Sequence, residues 1–372
     1  MTSNAPGIRI ATVYTDMPLA PADVQAMDIV RWMRVSERLA AAGFAVDVVV
    51  GPGSRLESPH PNLRYVPLGD ADWSDYHVIK TLYQRGFRTL VEAGGRAHPF
   101  IISRLASVVG RDESVPGVHF TGAERAALYE VQDDIRRTSH YIALSTEPNR
   151  LLWRREYGDG VPLLLVPTGV DRSIPAPGRN PYRSVTAAPK IAVYIGNLYT
   201  RMQRHINRLW QERLNRLGAL LRARGVLLVF VGPGLTDMLD PAAVLSLGGV
   251  PHSEVWDYHY FADVGIALAQ GPVQHNESSK IYYYLRTGLP VVTESSIPNN
   301  DVVTESGCGL VMPYGDDHAL ADTIQAAAHR RWDREAAISY VLAHHTWDRR
   351  CTVYEDIIRR RLGARTATDA PS

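Results

Sequence analysis

Residues 263–292 read DVGIALAQGPVQHNESSKIYYYLRTGLPVV. An apolar run at 263–267 gives way to a polar loop, a helical stretch and a second apolar run at 290–293. Strands buried on both faces of a parallel sheet are uniformly apolar, and each needs a crossover helix to reach the next. The stretch therefore reads as one β-α-β unit, and the pattern continues on both sides. Further apolar runs lie at 191–195, 226–231, 243–247 and 310–313, with helical stretches at 204–224, 278–287, 317–331 and 348–362. An earlier series carries strands at 8–14, 45–50, 64–68, 77–83, 99–103, 141–145 and 163–167. Its helices include 24–42, closed by Gly43, and 122–137.

Between the two series, residues 168–190 read TGVDRSIPAPGRNPYRSVTAAPK, rich in Pro, Gly and Ser and without periodicity, as a linker should be. The fold class predicted is α/β, two Rossmann-like halves with a deep cleft between them. Residues 1–170 form the first domain and 171–346 the second, while 347–372 form a closing helix that returns to the first domain and then frays. A length of 372 residues suits two such cores.

Composition narrows the partners. Hydrophobic residues at 45% and charged residues at 21% exclude global disorder and a polytopic membrane protein. A formal charge of +1 gives no bulk attraction to nucleic acid. Two cysteines, Cys308 and Cys351, cannot build a disulfide framework or a four-cysteine zinc site. The first fifteen residues lack a basic region ahead of an apolar one, and no apolar run reaches the roughly eighteen residues of a membrane span. The expected location is the cytoplasm, with a peripheral dock at the inner membrane face left open by the arginine and tryptophan clusters at 153–155 and 330–332.

The chemistry concentrates at 271–292. The Ser278 hydroxyl can cap a helix, leaving the amides of Ser279, Lys280 and Ile281 to face an anion, with Lys280 supplying charge. Lysine is scarce here: of forty basic residues only Lys80, Lys190 and Lys280 are lysine. Tyr283, Tyr284 and Thr287 follow Lys280 at three, four and seven residues, on the same helical face. The pattern suits a diphosphate cradle; the plain alternative is a capped helix with a solvated lysine. Asp70 and Asp72 spell the D-x-D of a metal site but stand after the third strand of a different architecture. No P-loop, G-x-G-x-x-G or G-x-S-x-G occurs.

The run SKIYYYLRTGLPVV resembles the donor-binding signature of GT-B glycosyltransferases of the family 4 type, K-x-x-E-Y-x-A-x-G-x-P-V-V. HYIALSTEPNRLL with LLLVPTGVD, KIAVYIGNLYTR, VLLVFVGPG, GGVPHSEVWDYHYFADVGIAL, SIPNNDVVTESGCGLVMPYGDDHALADTI and HTWDRRCTVYEDII resemble the family's successive segments. The likeness covers nearly everything after Tyr141. It departs at two glutamates: Tyr283 stands where the family's ribose-binding glutamate is, and His275 where the other stands. A serine-serine-lysine site without the glutamate also resembles the inverting glucuronosyltransferase of xanthan assembly, so retaining and inverting outcomes both stay open.

The resemblance implies transfer of a sugar from a nucleotide-diphosphate sugar to an acceptor, a saccharide, lipid-linked or small molecule, with no metal or other cofactor. Implied donor residues are Gly196, Arg201, Val250, His252, His275, Asn276, Glu277, Ser278, Ser279, Lys280 and Tyr283. Candidate catalytic bases on the acceptor half are Asp112 and Asp16. Two rivals are a nucleotide-sugar 2-epimerase of the same fold and a non-catalytic nucleotide-sugar binding module.

Overall fold

The computed structural model describes residues 7–15, 27–111, 122–184, 188, 190–198 and 204–368. The chain divides into two compact units, one taking in the opening strand with 31–169 and 347–368, the other taking in 27–30 and 170–346.

The first unit is built on β1 (Arg9–Val13), α1 (Met27–Ala41), β2 (Ala45–Val50), β3 (Leu63–Pro67), β4 (Val78–Leu82), α2 (Tyr83–Glu92), β5 (Ile101–Arg104), α3 (Gly122–Thr138), β6 (Tyr141–Leu144), α4 (Glu147–Tyr157) and β7 (Leu163–Leu165). Its strands form a sheet of order β3-β2-β1-β4-β5-β6-β7, parallel throughout. All five residues of β4 are buried, as a central parallel strand requires. The sequence reading carries β4 on to residue 83 and leaves α2 out. Tyr83 explains the difference: at φ 56° it is the one non-glycine residue with positive φ among those described, and it turns the chain from strand into helix within one residue. Gly86 then lets α2 lie against β1, because a Cβ there would sit 2.6 Å from the Val13 carbonyl oxygen.

The second unit runs β8 (Lys190–Ile195), α5 (Arg204–Arg222), β9 (Val226–Val231), β10 (Val244–Ser246), α6 (Val255–Tyr260), β11 (Val264–Ala267), α7 (Ser279–Arg286), β12 (Val291–Glu294), α8 (Asp301–Glu305), β13 (Gly309–Met312), α9 (Asp317–His329) and α10 (Arg334–His344). The sheet order is β10-β9-β8-β11-β12-β13, again parallel. Strand order reverses between β8 and β11, and the carboxyl ends of two such strands open the crevice in which doubly wound sheets bind ligands. The short helices α6 and α8, and α10, escape the sequence reading because five to eleven residues give periodicity little room.

A buried ion pair braces this crevice. Arg213 on α5 reaches Glu294 at the end of β12 at 2.6 Å and Asp317 at the start of α9 at 3.1 Å. The same arginine donates to the Ala269 carbonyl at 3.0 Å, and the Ala269 N–H donates to Glu294 at 2.8 Å. Both backbone groups of the residue that follows β11 are thus fixed, and the charges at the centre of the network are compensated.

The final helix, α11 (Trp347–Thr368), belongs to the first unit, where Cys351 and Tyr354 are buried. Lys80 of β4 lies beneath it, 1% exposed, its ammonium 4.2 Å from the Tyr354 ring and 5.8 Å from the Trp32 ring. Its Nζ has no hydrogen-bond partner among the described residues. Burial pushes this ammonium down to about 7 from the 10.5 of an ordinary lysine, with Arg104 acting in the same direction.

The unfolded chain therefore binds more protons than the folded one between about pH 7 and 10.5, so stability rises with pH across that window and carries the full penalty below it. At about 1.4 kcal/mol per pKa unit the penalty amounts to a few kcal/mol. Lys80→Met should raise the urea midpoint at pH 6.5 and flatten the climb between pH 7 and 10. An unchanged slope in the variant would show that Lys80 stays charged in the folded protein.

Candidate functional site

At the carboxyl ends of β8 and β9 two glycine turns are pressed together. A Cβ on Gly232 would meet the Gly196 carbonyl oxygen at 1.8 Å, so neither turn could approach the other with a larger residue at 232. The Gly196 N–H donates to Val231 O at 2.9 Å and the Leu198 N–H to Pro233 O at 3.0 Å, which locks the pair.

Helix α7 begins opposite these turns. The sequence reading gives the Ser278 hydroxyl a capping role, and the structure corrects this: the hydroxyl makes no capping bond. Asn299 takes hold of the cap residue instead. Its Oδ1 accepts the Ser278 N–H at 2.8 Å and its Nδ2 donates to Ser278 O at 3.0 Å, holding Ser278 in an extended conformation. Thr287 is also corrected, since its hydroxyl donates to Tyr284 O at 2.8 Å in the interior rather than extending the ligand face. The helix is anchored by Tyr284, whose hydroxyl receives the Ile195 N–H at 2.8 Å and so ties α7 to the end of β8.

This anchoring places Lys280 across the Gly196 turn. Its ammonium lies 4.7 Å from the centre of the Tyr194 ring, within cation–π range. A Cβ on Gly196 would be 2.7 Å from Lys280 Cε and 2.8 Å from Nζ. Glycine at 196 thus creates the groove in which the lysine lies. Tyr194 is backed by Trp210 at 5.9 Å and Phe230 at 6.1 Å between ring centres.

A cavity of about 410 Å³ opens here, bounded by Gly196, Asn197, Gly232, Pro233, Ser279 and Lys280 at one end. The other end is aromatic. Tyr283 stacks on Trp256 at 5.5 Å and 24°, and the His252 ring meets Tyr283 edge-on at 5.8 Å and Trp256 at 5.6 Å. Val250 and Val255 belong to the same wall, as do His259 and Tyr284, whose rings are 5.2 Å apart. Burial drives the His259 imidazole down to about 3, with His252 acting in the same direction, so this ring is neutral.

Of the residues singled out from the sequence, Gly196, Val250, His252, Ser279, Lys280 and Tyr283 line this one cavity. Ser278 adjoins it through the helix start, while the loop carrying His275, Asn276 and Glu277 lies beside the lining. Glu277 accepts a hydrogen bond from the Tyr282 hydroxyl at 3.2 Å, and Gln274 both receives the Gln270 N–H and donates to Asn276 O. Arg201, Asp16 and Asp112 lie outside the described residues. Sequence reasoning missed Tyr194, Trp210, Val255 and His259; the last two are four residues apart on α6 and share a helical face, which is the signal that was available. Among the described residues no group of three or more His, Cys, Asp or Glu is placed to hold a metal ion, and no helix is long and apolar enough to cross a membrane.

No protein-family model matches the sequence. No curated protein matches it either. Solved structures do match. Sucrose-phosphate synthase from Thermosynechococcus elongatus superposes with a TM-score of 0.73 at 16% identity, over 96% of this chain and 100% of its own. Anabaena HepE in complex with UDP-glucose gives 0.64 at 13% identity, over 96% and 100%. WaaG, a glycosyltransferase involved in lipopolysaccharide biosynthesis, gives 0.61 at 15%, over 94% and 99%. With two parallel sheets of seven and six strands and neighbours of this kind along its whole length, the chain has the GT-B fold.

Proposed function

We propose that the protein is a glycosyltransferase that moves a sugar, a hexosyl group in the simplest reading, from a nucleoside-diphosphate sugar to an acceptor. The observation that carries this reading is Lys280, held in the groove of Gly196 at the start of α7 on the wall of a cavity whose far end is aromatic. A helix start with an ammonium beside it favours an anion, and stacked rings with apolar neighbours favour a planar base. The neighbours of the same fold that hold UDP and UDP-glucose support the choice of donor.

In the reaction the bond from the anomeric carbon to the diphosphate oxygen breaks with its electrons, and the acceptor oxygen forms the new bond to that carbon. The acceptor proton passes to a base, for which Asp112 and Asp16 are the candidates, or to the departing phosphate. Charge that develops on the diphosphate is met by Lys280, by the Asn197 amide of the Gly196 turn, whose Gly196 and Leu198 N–H groups are already bonded, and by the Ser279 amide at the α7 start, so the reading needs no bound metal. Arg201 and the loop His275, Asn276, Glu277 are further donor contacts in this proposal. The acceptor, a saccharide, lipid-linked or small molecule, falls to the first unit, with a peripheral membrane dock for a lipid-linked one. Ser278 to Val292 favours the family 4 type; Tyr283 and His275, in place of its two glutamates, are the points at which donor handling departs from it.

Two variants test the lysine. Lys280→Ala should lower turnover by about 10²–10³-fold, the usual loss of a fixed donor to developing charge, with the melting temperature little changed. Gly196→Ala should do similar damage by displacing the lysine rather than removing it, because the new Cβ clashes with the flexible end of that side chain and meets the Tyr194 ring at an ordinary 3.6 Å. Turnover at the wild-type level in both would remove the cradle from the mechanism.

Binding is tested separately by a thermal-shift panel of UDP, GDP, ADP and dTDP and their sugars. At a hundred times its dissociation constant a ligand adds about 2.7 kcal/mol of stability, a shift of a few degrees for units of this size. Following the donor alone by NMR separates transfer from epimerisation, since a transferase leaves its donor's sugar configuration intact when no acceptor is present.

A further inference from the structure

The cavity contains a buried polar group that no described residue pairs with. His259 is 2% exposed, lines the cavity, and its Nδ1 has no hydrogen-bond partner among the described residues. It stands four residues after Val255, on the face of α6 that looks into the same space. Trp256 packs on one side of the ring at 5.6 Å and Tyr284 on another at 5.2 Å, both edge-on, so the imidazole is fixed in orientation.

A buried nitrogen left without a partner is destabilising, and natural cores avoid it unless a ligand or a water completes the bond. Such groups also give recognition its discrimination, since a ligand that fails to match a desolvated polar atom leaves it orphaned in the complex. Because the ring is neutral, it offers one N–H and one lone pair at any working pH. A nucleobase edge carries donors and acceptors side by side, whereas a diphosphate carries acceptors alone.

We propose that His259 is the residue with which this cavity reads the nucleobase, a specificity-determining group for the base as Lys280 is for the diphosphate. The proposal rests on the reading of the cavity as a nucleoside-diphosphate site. The base lies at the Tyr283 and Val255 wall with its polar edge toward His259, and the pyrophosphate lies some distance away at Gly196.

The experiment is calorimetric titration of wild type, His259→Phe and His259→Asn with two probes. One is the tightest binder to wild type among UDP, dTDP, GDP and ADP; the other is inorganic pyrophosphate. His259→Phe keeps the ring and should weaken the nucleotide tenfold or more while leaving pyrophosphate within about twofold. His259→Asn replaces Nδ1 with an amide of similar reach and should recover much of the loss. Equal weakening of both probes, or of neither, would overturn the assignment, the first by making His259 a support for the whole cavity and the second by making it a bystander. Should no nucleotide bind the wild type, the donor-site reading itself fails, a result distinct from both.

Discussion

One lysine side chain crossing one glycine organises the second unit's site. Lys280 occupies the place of the side chain that Gly196 lacks, resting on the Tyr194 ring, and each of the three residues comes from a different local constraint. Tyr194 is the penultimate residue of a buried strand, Gly196 is the first residue beyond it, and Lys280 is in the first turn of a helix two strands along the sheet. A lysine on an open surface would spend most of its time hydrated and would lose rotamer freedom on meeting a ligand. Here much of that ordering is already done by the fold, and the ring beneath the ammonium replaces part of its hydration.

The scaffold that keeps these parts in place is polar as well as apolar. Tyr284 is fully buried, yet its hydroxyl fixes the position of Ile195 and hence the start of the Gly196 turn. On the other side of the crevice the Arg213–Glu294 pair holds both backbone groups of Ala269, immediately before the polar loop that leads to Ser278. Asn299 then fixes Ser278 from the loop after β12. Three separate contacts therefore pin the segments that bound the cavity, each satisfied within itself, so a ligand need not break them to enter.

Much of this was legible in the sequence, for identifiable reasons. The parallel strands are dominated by Val, Ile, Leu and Ala because burial on both faces favours apolar residues, with buried exceptions such as Asp47 of β2 and Lys80 and Thr81 of β4. Residues 278–292 were readable as helix and strand because glycine and proline punctuate them. The illegible parts are those decided by distant residues. The Ser278 hydroxyl makes no capping bond, and what holds Ser278 is Asn299, twenty-one positions later, which bonds both its backbone groups. Helix α2 was hidden because Tyr83 takes a φ that its side chain disfavours, and the order of residues gives no sign of it. His259 looked like one polar residue in a short aromatic stretch, and its meaning came only when Val255, Tyr283 and Tyr284 were found around the same space.

The placement of charge in the cavity follows from the same economy. His252, Tyr283 and a neutral His259 line the cavity on the α6 side, with Trp256 stacked on Tyr283, while the ammonium lies over Tyr194 beside Gly196. Low-polarity walls strengthen any charge–charge contact made beside them, and they make an unmatched polar atom costly. A ligand that suits this cavity must therefore be divided as the cavity is, with a flat, weakly polar body toward α6 and concentrated negative charge toward Gly196. A neutral sugar lacks both parts and a bare phosphate lacks the flat body, whereas a nucleoside diphosphate, the ligand proposed above, carries the two joined by a ribose.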